Sequence, residues 1–190
     1  MTGVTFEVDD GDVVAALGRM LQFGRDPSQG LKILGEILVG STKERLRTTK
    51  RSPEGVAWAP LSPAYARRKR GPGILEETGE LRDGIRWQLE GVTELLVGTN
   101  RRHARVHQFG ATIQQPARTQ SIYHTYDAAE RSFSATFVKR RRANLERTVT
   151  VGAHVIRIPA RPFLGVSAED RTRGLEAITD LLGGLWEPTA

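Results

Sequence analysis

The sequence predicts an α+β fold, in which a small, mostly antiparallel sheet sits with a long N-terminal helix and a C-terminal helix, plus an extended basic arm. Three observations lead there. Apolar residues recur at helical spacing near both ends of the chain. Short β-rich runs punctuated by glycine fill the middle. From about 114 to 146, large aliphatic side chains thin out while basic ones accumulate. The 190 residues suffice for one full core, so a single domain over 1–190 is expected, with 114–146 as an arm or hairpin outside that core.

Taken in order, VTFEV (4–8) is strand-like, and Val13, Val14, Leu17, Met20 and Leu21 then make a helical stripe with Asp12 as its N-cap. GRDPSQG is a stronger helix start: Asp26 can cap, Pro27 suits the first helical position and Gln29 can complete a capping box. Leu31, Leu34, Ile37, Leu38 and Leu46 continue as one apolar face, while Lys43, Glu44, Arg45 and Arg47 are expected to face water. The spacing predicts a helix over about 27–48, the longest in the chain. Residues 49–63 carry three prolines and no period, which makes a loop, with Trp58 either plugging it into the core or standing out as an anchor for a partner. Ser62 and Pro63 restart a short helix, AYARRKR, that Gly71 ends, and a short helical segment follows around 76–84.

IRWQLE and ELLVGT, joined around Gly91, read as a hairpin, and HARVHQF as one or two helical turns stopped by Gly110. Within the arm, SIYHTY and SFSATFV are strand-like. TVTVGAHVIRI alternates as a further strand with Gly152 as a bulge. PARPFLG is a rigid turn. Ser167 then caps a last helix with Asp170 in the box position, striped by Leu175, Ile178, Leu181, Leu182 and Leu185 and ended by Gly183 and Gly184, leaving WEPTA as a tail.

Composition narrows the function. With no cysteine, disulfides, thiol catalysis and cysteine metal sites are excluded. The acidic start lacks the basic and apolar regions of a signal peptide, and no run approaches the ~18 apolar residues of a membrane span, so a soluble, non-secreted protein is expected. The net charge of +6 is unevenly placed: residues 95–145 hold nine basic residues against Asp127 and Glu130, a net +7, and the remainder of the chain is near neutral. Such a region meets nucleic acid, an acidic partner or a neighbouring subunit.

Candidate chemistry is sparse. His103 and His107 are four apart and could share a metal on a helix, but two ligands are too few and no HExxH pattern surrounds them. No nucleophile elbow or acid partner accompanies the histidines, and GPG (71–73) lacks the lysine and helix of a phosphate loop. Two basic clusters remain as partner or DNA contacts: Arg67, Arg68, Lys69 and Arg70, then Lys139, Arg140, Arg141 and Arg142. Tyr123, Tyr126, Phe133 and Phe137 precede the second cluster, but they follow strand alternation more than a base-stacking platform. No catalytic, cofactor-binding or metal-binding residue is expected. The residues argue for a non-enzymatic binding or assembly protein.

The loop and turn segments become informative together. WAPLSP (58–63), ILEETGELRDGI (74–85), VGT (97–99), ARVHQFG (104–110) and IPARPFLGVS (158–167), in that order, resemble the virion morphogenesis family of tailed bacteriophages, which includes the Mu-like protein G and the P2-like tail completion proteins. The intervening ARTQSIYHTY, FVKRRRAN and TVTVGAHVIRI are similar to the Mu-like branch, and the resemblance covers about residues 25–185. It implies a structural virion protein of the head–tail joining region, a tail completion or neck protein assembled in the host cytoplasm. Its expected partners are copies of itself in a ring, often of six, around the DNA channel, and neighbouring neck, connector or tail tube proteins. Genomic double-stranded DNA would be touched non-specifically at most, and no cofactor, membrane or catalytic residue is implied. Two alternatives stay open, a capsid-side head morphogenesis factor and a non-specific DNA-binding accessory protein.

The residues that carry the resemblance are expected to shape reproducible subunit junctions. They are Trp58, Pro60, Leu61, Thr78, Gly79, Leu81, His107, Gln108, Phe109, Gly110, Pro159, Arg161, Pro162, Phe163 and Leu164. His107, Gln108 and Phe109 are expected to buttress the core, with Gly110 giving the helix a left-handed exit. The segment 114–146 is expected to be mobile in a free protomer and to order on assembly.

Overall fold

A computed structural model describes residues 11–129, 131–133 and 136–186; the strand expected at 4–8 and residues 187–190 of the tail lie outside the described residues. The chain forms two compact units. The first runs up to Gly110 and resumes at Pro159; the second is Ala111–Ile158.

Among the described residues the first unit carries six α-helices and one hairpin: α1 (Gly11–Arg25), α2 (Ser28–Glu44), α3 (Pro63–Arg68), α4 (Glu80–Asp83), β1 (Arg86–Glu90), β2 (Glu94–Gly98), α5 (Ala104–Phe109) and α6 (Ala168–Trp186). Asp12 lies inside the first turn of α1, not at its cap. α2 starts one residue later than the sequence suggests: Pro27 is the cap position, and the Asp26 carboxylate accepts from the Ser28 amide at 3.0 Å, with hydrogen bonding from the Ser28 hydroxyl and then its amide lowering the pKa of that carboxyl. A π-helical turn, Arg45–Thr49, extends α2 and ends on Lys50 with φ 51°, so the continuous helical run is 28–49, close to the expected one. Val39, Leu46, Trp58, Leu81, Ile85, Ala104 and Phe163 form the buried core.

One side chain overturns its expected place. Arg45 is buried instead of facing water. Its position follows from helical spacing, since 38, 41, 42 and 45 are three or four residues apart and share one face. Its guanidinium donates to the Phe163 carbonyl at 2.8 Å and to the Ser41 hydroxyl at 3.0 Å, and it forms an ion pair with the buried Asp170. Asp170 also completes the expected capping box of α6: its amide donates to the Ser167 hydroxyl at 3.1 Å, and its carboxylate accepts from the Ser167 amide at 2.9 Å. Burial alone would raise the Asp170 carboxyl, but the Ser167 and Ser41 hydrogen bonds and the Arg45 charge hold it below its usual value.

Two further departures have tertiary causes. α6 runs through Gly183 and Gly184 to Trp186 instead of stopping there. It packs along α1, and the Arg19 Nε donates to the Leu185 carbonyl at 2.7 Å, so packing overrides weak helix propensity. α2 meets the hairpin through Gly35, where any Cβ would lie 2.7 Å from the Trp87 ring, and the indole Nε1 donates to Glu36 at 2.8 Å. The hairpin is the expected one, with Trp87 opposite Val97 and Leu89 opposite Leu95 on its half-buried face.

The second unit is an extended antiparallel hairpin. β3 (Ala111–Gln115) pairs with β8 (His154–Ile158), β4 (Arg118–His124) with β7 (Leu145–Val151), and β5 (Tyr126–Asp127) with β6 (Ser132–Phe133). The expected single strand over TVTVGAHVIRI is broken at Gly152–Ala153, where the opposite strand reaches Pro116, a residue with no ladder N–H to give. The small sheet is therefore realised, among the described residues, as separate two-stranded antiparallel ladders. No described helix is long and apolar enough to cross a membrane.

Breaking a buried ion pair leaves the other charge uncompensated, so Arg45→Met should cost about 3–5 kcal/mol in urea unfolding. Paired with Asp170→Leu, it should lose about 1–3 kcal/mol less than the sum of the two single variants. Strict additivity would show that the two groups do not support each other.

Candidate functional site

The motif residues converge on the segment 159–164, which returns the chain to the first unit. Phe163 is fully buried, and its carbonyl takes the Arg45 bond. Trp58 is buried as a core plug, settling its alternative as an exposed anchor; its indole donates to the Pro162 carbonyl at 2.8 Å. The loop that carries it is ordered, with the Trp58 amide on the Lys50 carbonyl at 3.1 Å and Ser52 on Val56 at 2.8 Å. Arg161 is buried with no carboxylate paired to it among the described residues. Its Nε donates to the Ala59 carbonyl at 2.8 Å, its Nη2 to the Pro60 carbonyl at 3.0 Å and its amide to the His107 carbonyl at 2.7 Å. Burial lowers its pKa, yet guanidinium basicity keeps it charged, so backbone carbonyl dipoles solvate the cation.

Gln108 completes the bracket from α5. Its side-chain oxygen accepts from both the Phe163 and Leu164 amides at 3.0 Å, and its nitrogen donates to the Leu164 carbonyl at 3.0 Å. One primary amide thus fixes two consecutive residues of a loop that has no ladder of its own. Phe109, expected in the core, is 73% exposed. Successive helix residues point about 100° apart, and with Gln108 turned onto the 163–164 backbone its neighbour must turn away. Gly110 has φ 74° with ψ 169°, an extended positive-φ exit in place of the expected left-handed helical one, and one that glycine adopts at least cost.

Around the other motif, Gly79 precedes α4 with φ 84°, Leu81 is buried and Thr78 is exposed. Leu61 and Leu164 are half-buried, whereas Pro159 is exposed. Glu76 joins the turn to the core, accepting from Arg82 at 2.7 Å and Lys50 at 3.2 Å. Sequence reasoning missed this group, and it missed Arg45. The signal for Arg45 was present, since a charge on an apolar helical stripe calls for a buried counter-charge.

The basic clusters differ in what they leave free. Arg67, Arg68 and Arg70 are exposed on or just after α3. Lys69, however, is bound to the Glu76 carbonyl and to the Glu77 carboxylate at 2.6 Å, with only 6% of its side chain exposed, so it is not available as a partner contact. In the second unit, Arg140, Arg141 and Arg142 form a short 3-10 turn, and they and Lys139 are exposed with no ion pair among the described residues. The turn is seated by Asn144, whose amide side chain bonds both the amide and carbonyl of Tyr126, at 2.7 and 2.8 Å. His124 stacks edge-on with Phe137 at 5.0 Å and Phe133 at 6.2 Å. No described residue between Ala111 and Ile158 is buried.

His107 is half-buried. Its ring lies edge-on to His103 at 5.8 Å, and its Nδ1 is buried without a hydrogen-bond partner. Among the described residues no group of three acidic or histidine side chains is placed to hold a metal ion.

These features define a class: an α+β protein in which Trp58, Gln108 and Arg161 bond the 159–164 segment into place, and whose excess charge lies on a hairpin with no buried residue among those described. Residues 8–183 match the phage virion morphogenesis family, and the chain belongs to that family. It is a bacteriophage virion morphogenesis protein, associated with the virion. No curated protein and no solved structure matches the chain significantly.

Burial, then the His103 and Arg161 charges, lower the His107 pKa from its ordinary 6.5. The unfolded chain therefore binds a proton more readily, and stability should be fullest above pH 6.5 and fall as pH drops below it. His107→Gln should flatten that fall in thermal melts taken between pH 7.5 and 5. An unchanged pH slope would show that another group governs it.

Proposed function

We propose that this protein is a non-enzymatic structural component of the head–tail joining region, a tail completion or neck protein that assembles as a ring around the DNA channel. Family membership supplies the setting. The observation that carries the reading further is the hairpin 111–158, with five exposed or half-buried aromatic and cationic positions between Phe137 and Arg142 and no buried residue of its own among those described. An isolated two-stranded hairpin is marginal in water, so a surface outside itself is needed to hold it. A neighbouring subunit supplies that surface at low cost in core residues, and a ring of modest contacts gains area from it.

The bracket around 159–164 suits the same role, because ring closure multiplies any angular error at a junction and demands a stiff protomer. Specific partners in this reading are copies of the chain and an adjoining neck, connector or tail tube protein. The exposed Arg140, Arg141 and Arg142 favour a second reading, non-specific contact with DNA in the channel. A channel that lets DNA slide is poorly served by many firm phosphate contacts, so protein is the preferred partner of these arginines. Affinity for duplex DNA that falls with a log–log salt slope of several units would move the reading to a DNA-binding accessory protein.

Inactivating the gene in its phage and imaging the lysate by electron microscopy tests the central reading. Filled heads beside separate, unjoined tails are expected. Empty or aberrant heads with normal tails would transfer the protein to the capsid side. In the isolated chain, hydrogen exchange should be fast at the amides of β4 and β7 and slow down on assembly; strong protection in the monomer would contradict an arm that orders on its neighbour.

A further inference from the structure

The β1–β2 hairpin has a second face that nothing covers among the described residues. Strand alternation puts Arg86, Gln88 and Glu90 of β1 there, opposite Gly98, Leu96 and Glu94 of β2. Two features of this face are unusual. Glu90 and Glu94 stand directly opposite each other, a like-charge pair that destabilises a strand ladder, and neither forms an ion pair among the described residues. Beside them, Leu96 and Val92 are exposed, and toward the Arg86 end of the hairpin an open recess of about 360 Å³ is lined by Arg86, Gln88, Leu96, Gly98 and Asn100 together with Trp87 and Val97. About 150 Å³ is enough to hold a benzene ring.

The second unit carries the complement. Phe137 is 72% exposed, with its ring edge-on to His124, and Lys139 to Arg142 follow one residue later. Phe137 to Arg140 is three residues, about 10 Å of extended chain, and Leu96 to Glu94 is two, about 7 Å. Arginine side chains easily bridge that difference. Arg86 lines that recess, about 13 Å from Glu90, so the recess end of the face offers a cation to an incoming aromatic ring while the glutamate end attracts the cationic turn that follows it. The polarity admits one orientation.

We infer that the basic hairpin of one copy docks on the outer face of β1–β2 of a second copy, with Phe137 seated in the recess and Arg140 and Arg141 over Glu90 and Glu94. This deepens the ring reading and rests on it. The contact joins two different patches of the same chain, and head-to-tail contacts of that kind propagate until the rotation closes a ring. The Glu90–Glu94 repulsion is relieved on docking, so the face gains from assembly what it lacks alone.

The natural chain has no cysteine, which makes a directed cross-link unambiguous. Purified full-length Gln88→Cys and Lys139→Cys variants are mixed under mild oxidation, with oligomers followed in parallel by sedimentation. The expected result is a disulfide-linked pair containing one chain of each kind, with yield reduced about tenfold when the Lys139→Cys chain also carries Phe137→Ala, or when the Gln88→Cys chain carries Glu90→Arg and Glu94→Arg. Melting temperatures matching the parent variants would show that this loss is not misfolding. Oligomers that form without the mixed disulfide, or only disulfides between identical chains, overturn this contact and leave the ring reading standing. Absence of oligomers under every condition, alone and with tail proteins, overturns both.

Discussion

The first unit depends on a buried cation. Arg45 sits where α2 relaxes into a π-helical turn, and it reaches the Phe163 carbonyl, the Ser41 hydroxyl and the Asp170 carboxylate together. Two parts of the chain separated by more than a hundred residues, 41–45 and 163–170, thus meet at one guanidinium. Taking such a charge out of water is costly, and only this full set of acceptors compensates it. Asp170 is shared between the arginine and the start of α6, so the helix cap and the core are fixed by the same carboxylate. The ion pair and the Phe163 bond tie α2 both to the 159–164 segment and to the start of α6.

That segment is otherwise held by main-chain bonding. Gln108, Trp58 and Arg161 each spend their polar atoms on carbonyls and amides of a neighbouring loop, which turns irregular backbone into something as well bonded as a sheet. Arg161 and Arg45 solve the same desolvation problem differently, one with carbonyl dipoles alone and one with a carboxylate. The carbonyls that Arg161 takes, those of Ala59 and Pro60, lie in a proline-rich loop, where proline has no N–H to offer a neighbouring carbonyl.

Local sequence signals were legible where a short-range bond decides the structure. The Ser167–Asp170 box, the Ser62 cap of α3, the turn around Gly91 and the stop at Gly110 all read directly from spacing, because each involves residues within a few positions of one another. The failures are those in which a distant group decides. Arg45 looks like one charge in a solvated KERLR run until its place on the stripe is counted against Leu38 and Thr42. Phe109 looks like a core residue until Gln108 claims the inner face. Gly183 and Gly184 look like a helix end until α1 lies alongside. The candidate site was legible as a set of residues but not as a bonding pattern, since nothing in the sequence says that Trp58 and Pro162, or Gln108 and Phe163, are neighbours.

The chain leaves the first unit after Gly110 and re-enters at Pro159, and the two ends of the excursion are tied at once: Ala111 pairs with Ile158, and the His107 carbonyl holds the Arg161 amide. Closing a detour at its base makes its length nearly indifferent to the rest of the protein, because the entropy of a longer loop grows only logarithmically. The hairpin is therefore a graft. It can be lengthened, shortened or recharged by insertion while the helical unit keeps its bonds.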